Sequence, residues 1–163
     1  YPAEDGSLYD IWHIFGWTYD STAAMTRLVF TGIFDKFPDL KIITHHLGGL
    51  VPYTYGRIIQ GYNKVGKRSE EGRKLLDRLE RHPHDYFKMF YADTVTNGSV
   101  AALECGVRYF GPDRVLFGTD MPFDSEGGSV FVGETIQTIE ELQASAEDKR
   151  KIYEQNIKRL LKL

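Results

Sequence analysis

The sequence contains little cysteine, no long hydrophobic run and no strong excess of charge. Cys105 is the single cysteine in 163 residues, so an internal disulfide is excluded and a reducing, cytoplasmic compartment is predicted. No apolar stretch approaches membrane-spanning length and the N-terminal residues lack signal-peptide features, so no membrane partner is expected. The net charge of −3 gives no basic field, which argues against a nucleic-acid partner.

The remaining composition is ordinary for a globular protein. Hydrophobic residues make up 42% of the chain and charged residues 26%, and no internal sequence repeat or low-complexity tract is present. A length of 163 residues suits one hydrophobic core, so residues 1–163 are predicted to form a single domain. Because Tyr1–Gly6 resembles the middle of a loop and no Met precedes it, the chain is also predicted to be a fragment.

Aromatic rings are concentrated in residues 1–19, where no helix or strand period dominates and a loop is predicted. These rings are Tyr9, Trp12, His13, Phe15, Trp17 and Tyr19. Such a loop either forms the wall of a pocket for a planar ligand or simply covers the core. His13 and Trp17 are the substrate-binding candidates in this region.

Hydrophobic periodicity and turn residues predict mostly helices up to His84. The elements are a helix over 20–37 capped by Asp20–Ser21–Thr22, a strand over 40–44, a helix over 52–62, a mobile polar segment over 64–71 and a helix over 73–81. His82–Pro83–His84 then ends the last helix and is predicted to be a surface turn.

The second half of the chain alternates strands and helices. The predicted elements are a strand over 86–93, a helix over 99–110, a strand over 114–118, a loop over 121–128, a helix over 134–142 and a last helix that a capping box at Ser145–Asp148 begins. This alternation predicts an α/β fold whose parallel strands are adjacent in chain order, with right-handed connections. The last helix is expected to bury five side chains, namely Ile152, Tyr153, Ile157, Leu160 and Leu161.

Polar side chains follow two of the predicted strands. His45 and His46 come directly after the first, and Asp120 follows the third, where the chemistry of parallel α/β proteins is found. Since neighbouring strand residues face opposite ways, only one histidine is expected to face this site. Histidine with aspartate suits zinc or another first-row divalent metal. The alternative is a histidine packed in the core and an aspartate that caps a turn.

Two motifs resemble the amidohydrolase-related family, which includes aminocarboxymuconate-semialdehyde and γ-resorcylate decarboxylases. Residues 37–53, FPDLKIITHHLGGLVPY, resemble its FPDLK…H-x-G-G-x-x-P signature, which Gly56–Arg57–Ile58 continues. Residues 117–123, FGTDMPF, are similar to its GTDxPF motif, and Asn156–Ile157 resembles its closing motif. The resemblance covers residues 10–163.

This resemblance implies a (β/α)8 TIM barrel, of which the chain would form the C-terminal part with strands six to eight. The family register puts the catalytic histidine of strand six at His46 and the metal-binding aspartate of strand eight at Asp120. The H-x-H pair of strand one and the histidine of strand five have no counterpart in this sequence. His82–Pro83–His84 precedes the second strand and is therefore expected at the opposite end of the sheet.

The resemblance also implies a metal-dependent enzyme that is either a hydrolase or a non-oxidative decarboxylase. Its substrate would be a small carboxylated molecule, aromatic or unsaturated. The histidine and aspartate donors favour zinc as the metal, with manganese or another first-row ion as alternatives. Arg57 would bind the substrate carboxylate through two parallel hydrogen bonds, or would form an ion pair on a helix surface instead.

The alternative to an enzyme is a catalytically silent fragment. The strand edge at 40–46 carries few charges, so its backbone groups are expected to require partners. The N-terminal aromatic loop, a second copy of the chain or the remainder of the enzyme would supply them. Among these, a homo-oligomer is predicted.

Overall fold

The computed structural model describes residues 6–163, and their contacts divide them into two units. The helical unit comprises residues 6–40 and Gly48–Phe87, and the strand unit comprises Lys41–Leu47 and Lys88–Leu163. Apart from Gly6, the loop predicted at Tyr1–Gly6 lies outside the described residues. Across residues 6–163, none of the helices combines the length and hydrophobicity of a membrane-spanning segment.

Helices α1 to α5 build the helical unit. They are α1 (Trp17–Phe30), α2 (Ile33–Lys36), α3 (Val51–Arg68), α4 (Glu70–Leu76) and α5 (Pro83–Phe87). A 3₁₀ turn at Leu8–Asp10 and a π-helical turn at Trp12–Gly16 precede α1. The apolar core of the helical unit consists of Met25, Val29, Phe34, Val51, Tyr86 and Phe87.

The prediction of a loop up to residue 19 is wrong for residues 12–19, and so is the predicted cap at Asp20–Ser21–Thr22. These residues lie in the π-helical turn and in α1, which begins at Trp17. The hydroxyl of Thr18 donates to the Phe15 carbonyl at 2.8 Å, and that of Thr22 donates to the Thr18 carbonyl at 2.9 Å. Because these hydroxyls bond to the preceding turn, the helix accommodates residues that are typical of caps.

The boundaries predicted between residues 64 and 84 also need correction. The segment over 64–71, predicted to be mobile, is helical except for Ser69, because the Ser69 hydroxyl caps α4 by accepting from Gly72 N at 3.0 Å. The helix predicted over 73–81 lies instead at Glu70–Leu76. His82–Pro83–His84 is not a surface turn, since Pro83 is buried in the first turn of α5, a position that tolerates proline.

The strand unit contains two short parallel strands. Strand β1 (Ile43–Thr44) pairs with β2 (Tyr91–Ala92), and Ala92 makes a further parallel bridge to Val115. The predicted parallel arrangement in chain order is therefore confirmed. All three segments are shorter than predicted, and residues 86–87 are helical rather than extended because they belong to α5.

The third segment continues beyond Val115 through a side chain rather than through a regular ladder. The Thr94 hydroxyl donates to the Gly118 carbonyl at 2.8 Å and accepts from Gly118 N at 3.0 Å. On the other side, Phe117 N donates to the carbonyl of Ile152 at 2.9 Å. These contacts hold residues 115–118, which lead directly to Asp120.

The remaining helices complete the strand unit. They are α6 (Val100–Phe110), α7 (Ser129–Glu141), α8 (Ala146–Arg150) and α9 (Asn156–Leu161), with a π-helical turn at Lys151–Gln155 before α9. Caps at Ser99 and Ser145 are confirmed, since their hydroxyls accept from Ala102 N and Asp148 N. Ile152 is buried as predicted, whereas Leu161 is 59% exposed.

Helix α7 begins five residues earlier than predicted. The Asp124 carboxylate accepts from Gly128 N at 2.9 Å and from Phe131 N at 2.9 Å, so it caps the first turn. The predicted loop over 121–128 leads from Asp120 into this cap.

Candidate functional site

Three chain segments of the strand unit end in polar side chains that meet at one place. His45 follows β1, Asp93 follows β2, and Asp120 follows the segment that bridges at Val115. Oδ1 of Asp120 lies 3.3 Å from Nε2 of His45, and Oδ2 of Asp93 hydrogen-bonds to Nδ1 of the same ring. The polar side chains after these strand segments therefore meet, with His45 rather than His46 in contact with Asp120.

Asp93 connects the ends of the two strands. Its Oδ1 accepts from Leu47 N at 2.8 Å and from Val95 N at 3.1 Å, while Oδ2 contacts His45. Only 13% of its side chain is exposed, against 43% for His45 and 22% for Asp120. Asp93 therefore holds the turn that follows β1 and the imidazole that precedes that turn.

His46 lies beside His45 rather than on the opposite side of a strand. The two ring centroids are 3.9 Å apart with planes inclined at 38°. The prediction that only one histidine could face the site assumed extended backbone, but β1 ends at Thr44 and His46 has a φ of 53°. Leu47, whose N–H is bound by Asp93, has the same left-handed conformation as His46, so strand alternation does not apply.

The backbone of Asp120 is also left-handed, with a φ of 65°. The turn after it is formed by other groups, because Phe123 N donates to the Asp120 carbonyl at 3.2 Å and Met121 N to the Thr119 hydroxyl at 3.3 Å. The Asp120 carboxylate is directed to His45 instead. Strained non-glycine residues of this kind concentrate at functional sites.

The two histidines have opposite pKa shifts. The hydrogen bond to Asp93 raises the pKa of His45 above its ordinary value of 6.5, and it outweighs the opposing effect of burial. Burial lowers the pKa of His46, and the charge of His45 lowers it further, against the attraction of the Asp93 and Asp120 carboxylates. One imidazole of the pair is thus biased toward the cation and the other toward the neutral form.

The donor atoms match part of a coordination sphere. Two ligands that are each about 2.1 Å from a first-row metal lie about 3.0–3.4 Å apart, and Nε2 of His45 and Oδ1 of Asp120 are 3.3 Å apart. No group of three or more His, Cys, Asp or Glu side chains able to hold a metal is found in the described part of the chain. The imidazole–carboxylate pair therefore fits a divalent metal as an incomplete set.

The predicted substrate-binding residues belong to the helical unit. His13 and Trp17 are in contact, with ring centroids 4.7 Å apart, and Nδ1 of His13 is 3.0 Å from Oδ2 of Asp10. Arg57 is exposed on α3. Their roles stay predictions, as does the role of His46.

Asp93 is the site residue that sequence reasoning missed. It stood at the end of the predicted strand 86–93, where the argument used for Asp120 applies equally. A carboxylate directly after a predicted parallel strand was thus the available signal.

Comparison with known proteins gives a consistent result. The sequence profile of the family described as Amidohydrolase matches residues 3–163. Among curated proteins, a γ-resorcylate decarboxylase of Polaromonas sp. strain JS666 is 30% identical over 151 residues, 90% of this chain and 42% of that protein. A 2-amino-3-carboxymuconate-6-semialdehyde decarboxylase of Dictyostelium discoideum is 28% identical over 133 residues, 82% of this chain and 34% of that protein.

A solved structure agrees with these relatives. The dihydroxybenzoic acid decarboxylase of Polaromonas sp. JS666, with bound manganese and the inhibitor 2-nitroresorcinol, superposes with a TM-score of 0.71 at 28% identity. The match covers 97% of this chain and 48% of that one, so the chain spans less than half the length of these relatives. Because the profile matches nearly all of its residues, this chain belongs to the Amidohydrolase family.

Proposed function

We propose that this chain supplies part of the active site of a metal-dependent, non-oxidative decarboxylase of the amidohydrolase type. The observation that carries the proposal is the contact of His45 with Asp120, at the ends of the two segments that flank β2, with His46 beside His45. The names of the relatives support decarboxylation of a small carboxylated aromatic acid. Hydrolysis is the second candidate, because the same groups would also orient a water.

The three parallel segments would be strands six to eight of a (β/α)8 barrel, and residues 1–163 would fold as one domain of that architecture. The parallel order of β1, β2 and the Val115 segment supports this assignment. In such barrels the active site lies at the carboxyl ends of the strands, where His45, Asp93 and Asp120 are found.

Asp120 is the residue that would hold the metal, and the imidazole–carboxylate pair described above supports a divalent ion. Manganese in the solved relative supports that metal, and zinc, predicted from the sequence, is also compatible with these donors. When bound, such an ion polarises a substrate carboxylate or phenol.

His46 would act as the proton donor. When the bond between the ring carbon and the carboxylate breaks, carbon dioxide leaves and the bonding electrons remain on that carbon. The same carbon then takes a proton from His46, which solvent restores. The protonated form of His46 is the donor, and the lowered pKa of His46 makes that form a stronger acid than an ordinary imidazolium.

His13, Trp17 and Arg57 are proposed to bind substrate. Arg57 would grip a carboxylate, and the exposed pair of His13 and Trp17 would stack on a planar ring. In the alternative interpretation, Arg57 forms an ion pair on the helix surface and does not bind substrate.

The alternative to an enzyme is a chain that is catalytically silent alone. Such a chain requires the remainder of a barrel or a second copy of itself to fold. The incomplete donor set among residues 6–163 supports it. A homo-oligomer would then be the form that folds stably, and its melting temperature would rise with protein concentration.

The deciding experiment measures metal content and turnover together. The purified protein is loaded with manganese or zinc and assayed for carbon dioxide release from γ-resorcylate. The expected result is stoichiometric metal and turnover, both lost in Asp120→Asn. The matched control, Asp113→Asn, removes an exposed carboxylate that pairs with Lys151 and should retain both. A folded, metal-free and inactive protein would favour the silent chain.

A further inference from the structure

Both carboxylate oxygens of Asp93 are engaged, and each has a different kind of partner. Oδ1 accepts two backbone N–H groups, from Leu47 and Val95, at 2.8 and 3.1 Å. Oδ2 meets Nδ1 of His45. With 13% of its side chain exposed, Asp93 is the most buried of the three groups in this line from Asp93 through His45 to Asp120.

This arrangement determines which ring nitrogen of His45 carries hydrogen. An ionised carboxylate only accepts hydrogen bonds, so the nitrogen that meets Asp93 must be Nδ1–H. Neutral imidazole in water favours hydrogen on Nε2, so Asp93 reverses the ordinary preference. The contact of Nε2 with Oδ1 of Asp120 is the longer of the two, at 3.3 Å, so the nitrogen that meets Asp93 is the one that keeps its proton when the ring is neutral.

The orientation of His45 also affects its neighbour. The ring of His46 lies against that of His45 at 3.9 Å between centroids. In addition, the hydrogen bond from Leu47 N to Asp93 holds the turn that contains His46. A single carboxylate therefore restrains both imidazoles.

We infer that Asp93 is a positioning residue, which holds His45 as the Nδ1–H tautomer. In this position Nε2 of His45 faces Asp120 and the His45 ring lies against the ring of His46. The assigned role of Asp93 acts through His45 and through the backbone of Leu47 and Val95. The inference deepens the proposed function, on which its kinetic consequence rests. Its structural content concerns the metal-free chain and is tested without turnover.

The first test uses the unaltered protein. Long-range ¹H–¹⁵N spectra of the histidine side chains at alkaline pH, where His45 is neutral, distinguish the two tautomers. Loss of one signal set in His45→Asn assigns the resonances. The expected pattern for His45 is Nδ1–H. An Nε2–H pattern would overturn the inference, whatever any variant does.

The second test separates positioning of the ring from anchoring of the backbone. In Asp93→Asn the amide oxygen still accepts from Leu47 N and Val95 N, but its NH₂ group now donates to Nδ1 of His45. His45 is therefore expected to switch to Nε2–H while the protein remains folded. A folded variant that keeps the Nδ1–H tautomer would mean that Asp93 anchors only the backbone.

The matched control is Asp10→Asn, the same change at the contact between Asp10 and His13. It should leave the His45 spectrum unchanged. In the active protein, Asp93→Asn is expected to lower kcat about 10- to 100-fold with little change in KM, as loss of an orienting carboxylate does in metal sites. Turnover with an Nε2–H tautomer would refute the inference alone, and an Nδ1–H tautomer without turnover would refute the proposed function alone.

Discussion

Nε2 of His45 lies 3.3 Å from Oδ1 of Asp120, although the two residues are far apart in the sequence. Neither residue belongs to a long strand. The contact exists because β1 and the Val115 segment both flank β2, which brings their ends together. Asp93, which follows β2, then fixes the ring from its other nitrogen. The site is thus a consequence of parallel pairing between very short segments.

The first prediction concerns the titration of the two neighbouring histidines. The pKa of His45 is raised, chiefly by its hydrogen bond to Asp93, and that of His46 is lowered, chiefly by burial. NMR titration of the ring protons should therefore give a midpoint above 6.5 for His45 and below 6.5 for His46. Asp93→Asn should remove more of the His45 shift than Asp120→Asn, because Asp93 contributes most to it.

These shifts also give the sign of the pH dependence of stability. The raised pKa of His45 stabilises the fold fully below pH 6.5, and this contribution is lost as the pH rises through the folded-state pKa. The lowered pKa of His46 has no destabilising effect above pH 6.5. Below pH 6.5 the unfolded chain binds this proton more readily, so stability falls as the pH drops through the folded-state pKa. Urea unfolding of His45→Asn and His46→Asn across this range should show opposite slopes relative to the unaltered chain. Parallel slopes would contradict the assignment.

The second prediction concerns Asn156, which joins the last helix to the third segment. Its amide donates to the carbonyls of Pro112 and Val115 at 2.7 and 2.8 Å, and its side chain is fully buried. Asn156→Leu keeps the volume but leaves both carbonyls without this donor, so the free energy of unfolding should fall by about 2 kcal/mol. The exposed Gln143→Leu serves as control and should change it by less than about 0.5 kcal/mol. Equal effects of the two changes in urea unfolding would indicate that the buried amide is not required.

Much of the strand unit could be predicted because its signals are local. Short apolar runs followed by a polar residue marked the strand ends at His45 and Asp120, and Ser99 and Ser145 marked helix starts. These features depend on neighbours within a few residues. The family motifs around His46 and Asp120 added the expectation of a metal.

Other features depended on partners distant in the sequence. Whether His45 or His46 contacts Asp120 is determined by Asp93, whose bond to Leu47 N bends the chain at His46. The helical start at Trp17 was hidden because the aromatic residues before it show no period. The last two residues of α5, Tyr86 and Phe87, are predicted as strand because they are apolar, whereas in the structure they are helical and the Tyr86 hydroxyl donates to Asp35.

The third prediction follows from this last contact. The Tyr86 hydroxyl donates to Oδ1 of Asp35 at 2.6 Å and accepts from Arg81 N at 2.9 Å, with 1% of the residue exposed. Burial together with the Asp35 carboxylate raises the pKa of Tyr86 to about 12, so the hydroxyl stays protonated at physiological pH. Tyr86→Phe should cost about 1–3 kcal/mol of unfolding free energy, because it removes both partners' hydrogen bonds. Tyr53→Phe, at a position that is 83% exposed, is the control and should cost nothing measurable.

The last prediction concerns Gly49, the second glycine after His46. Its φ of 59° is unfavourable for any residue with a Cβ atom, and a Cβ there would lie 2.2 Å from the Thr18 carbonyl oxygen. The neighbouring Leu50 N donates to the Thr22 hydroxyl at 2.8 Å, and this hydrogen bond keeps Gly49 close to α1. Gly49→Ala should therefore lower the free energy of unfolding by more than about 2 kcal/mol, since left-handed backbone alone costs about 1–2 kcal/mol.

The same substitution at Gly56 is the matched control. Gly56 lies inside α3 with nothing within 4 Å of its added Cβ, so Gly56→Ala should raise the free energy of unfolding by about 0.5–1 kcal/mol through helix propensity. Urea unfolding of the two variants should consequently move in opposite directions. If Gly49→Ala were as stable as the unaltered chain, the turn after His46 would have room for a side chain against α1. The close approach of Gly49 to Thr18 described here would then be contradicted.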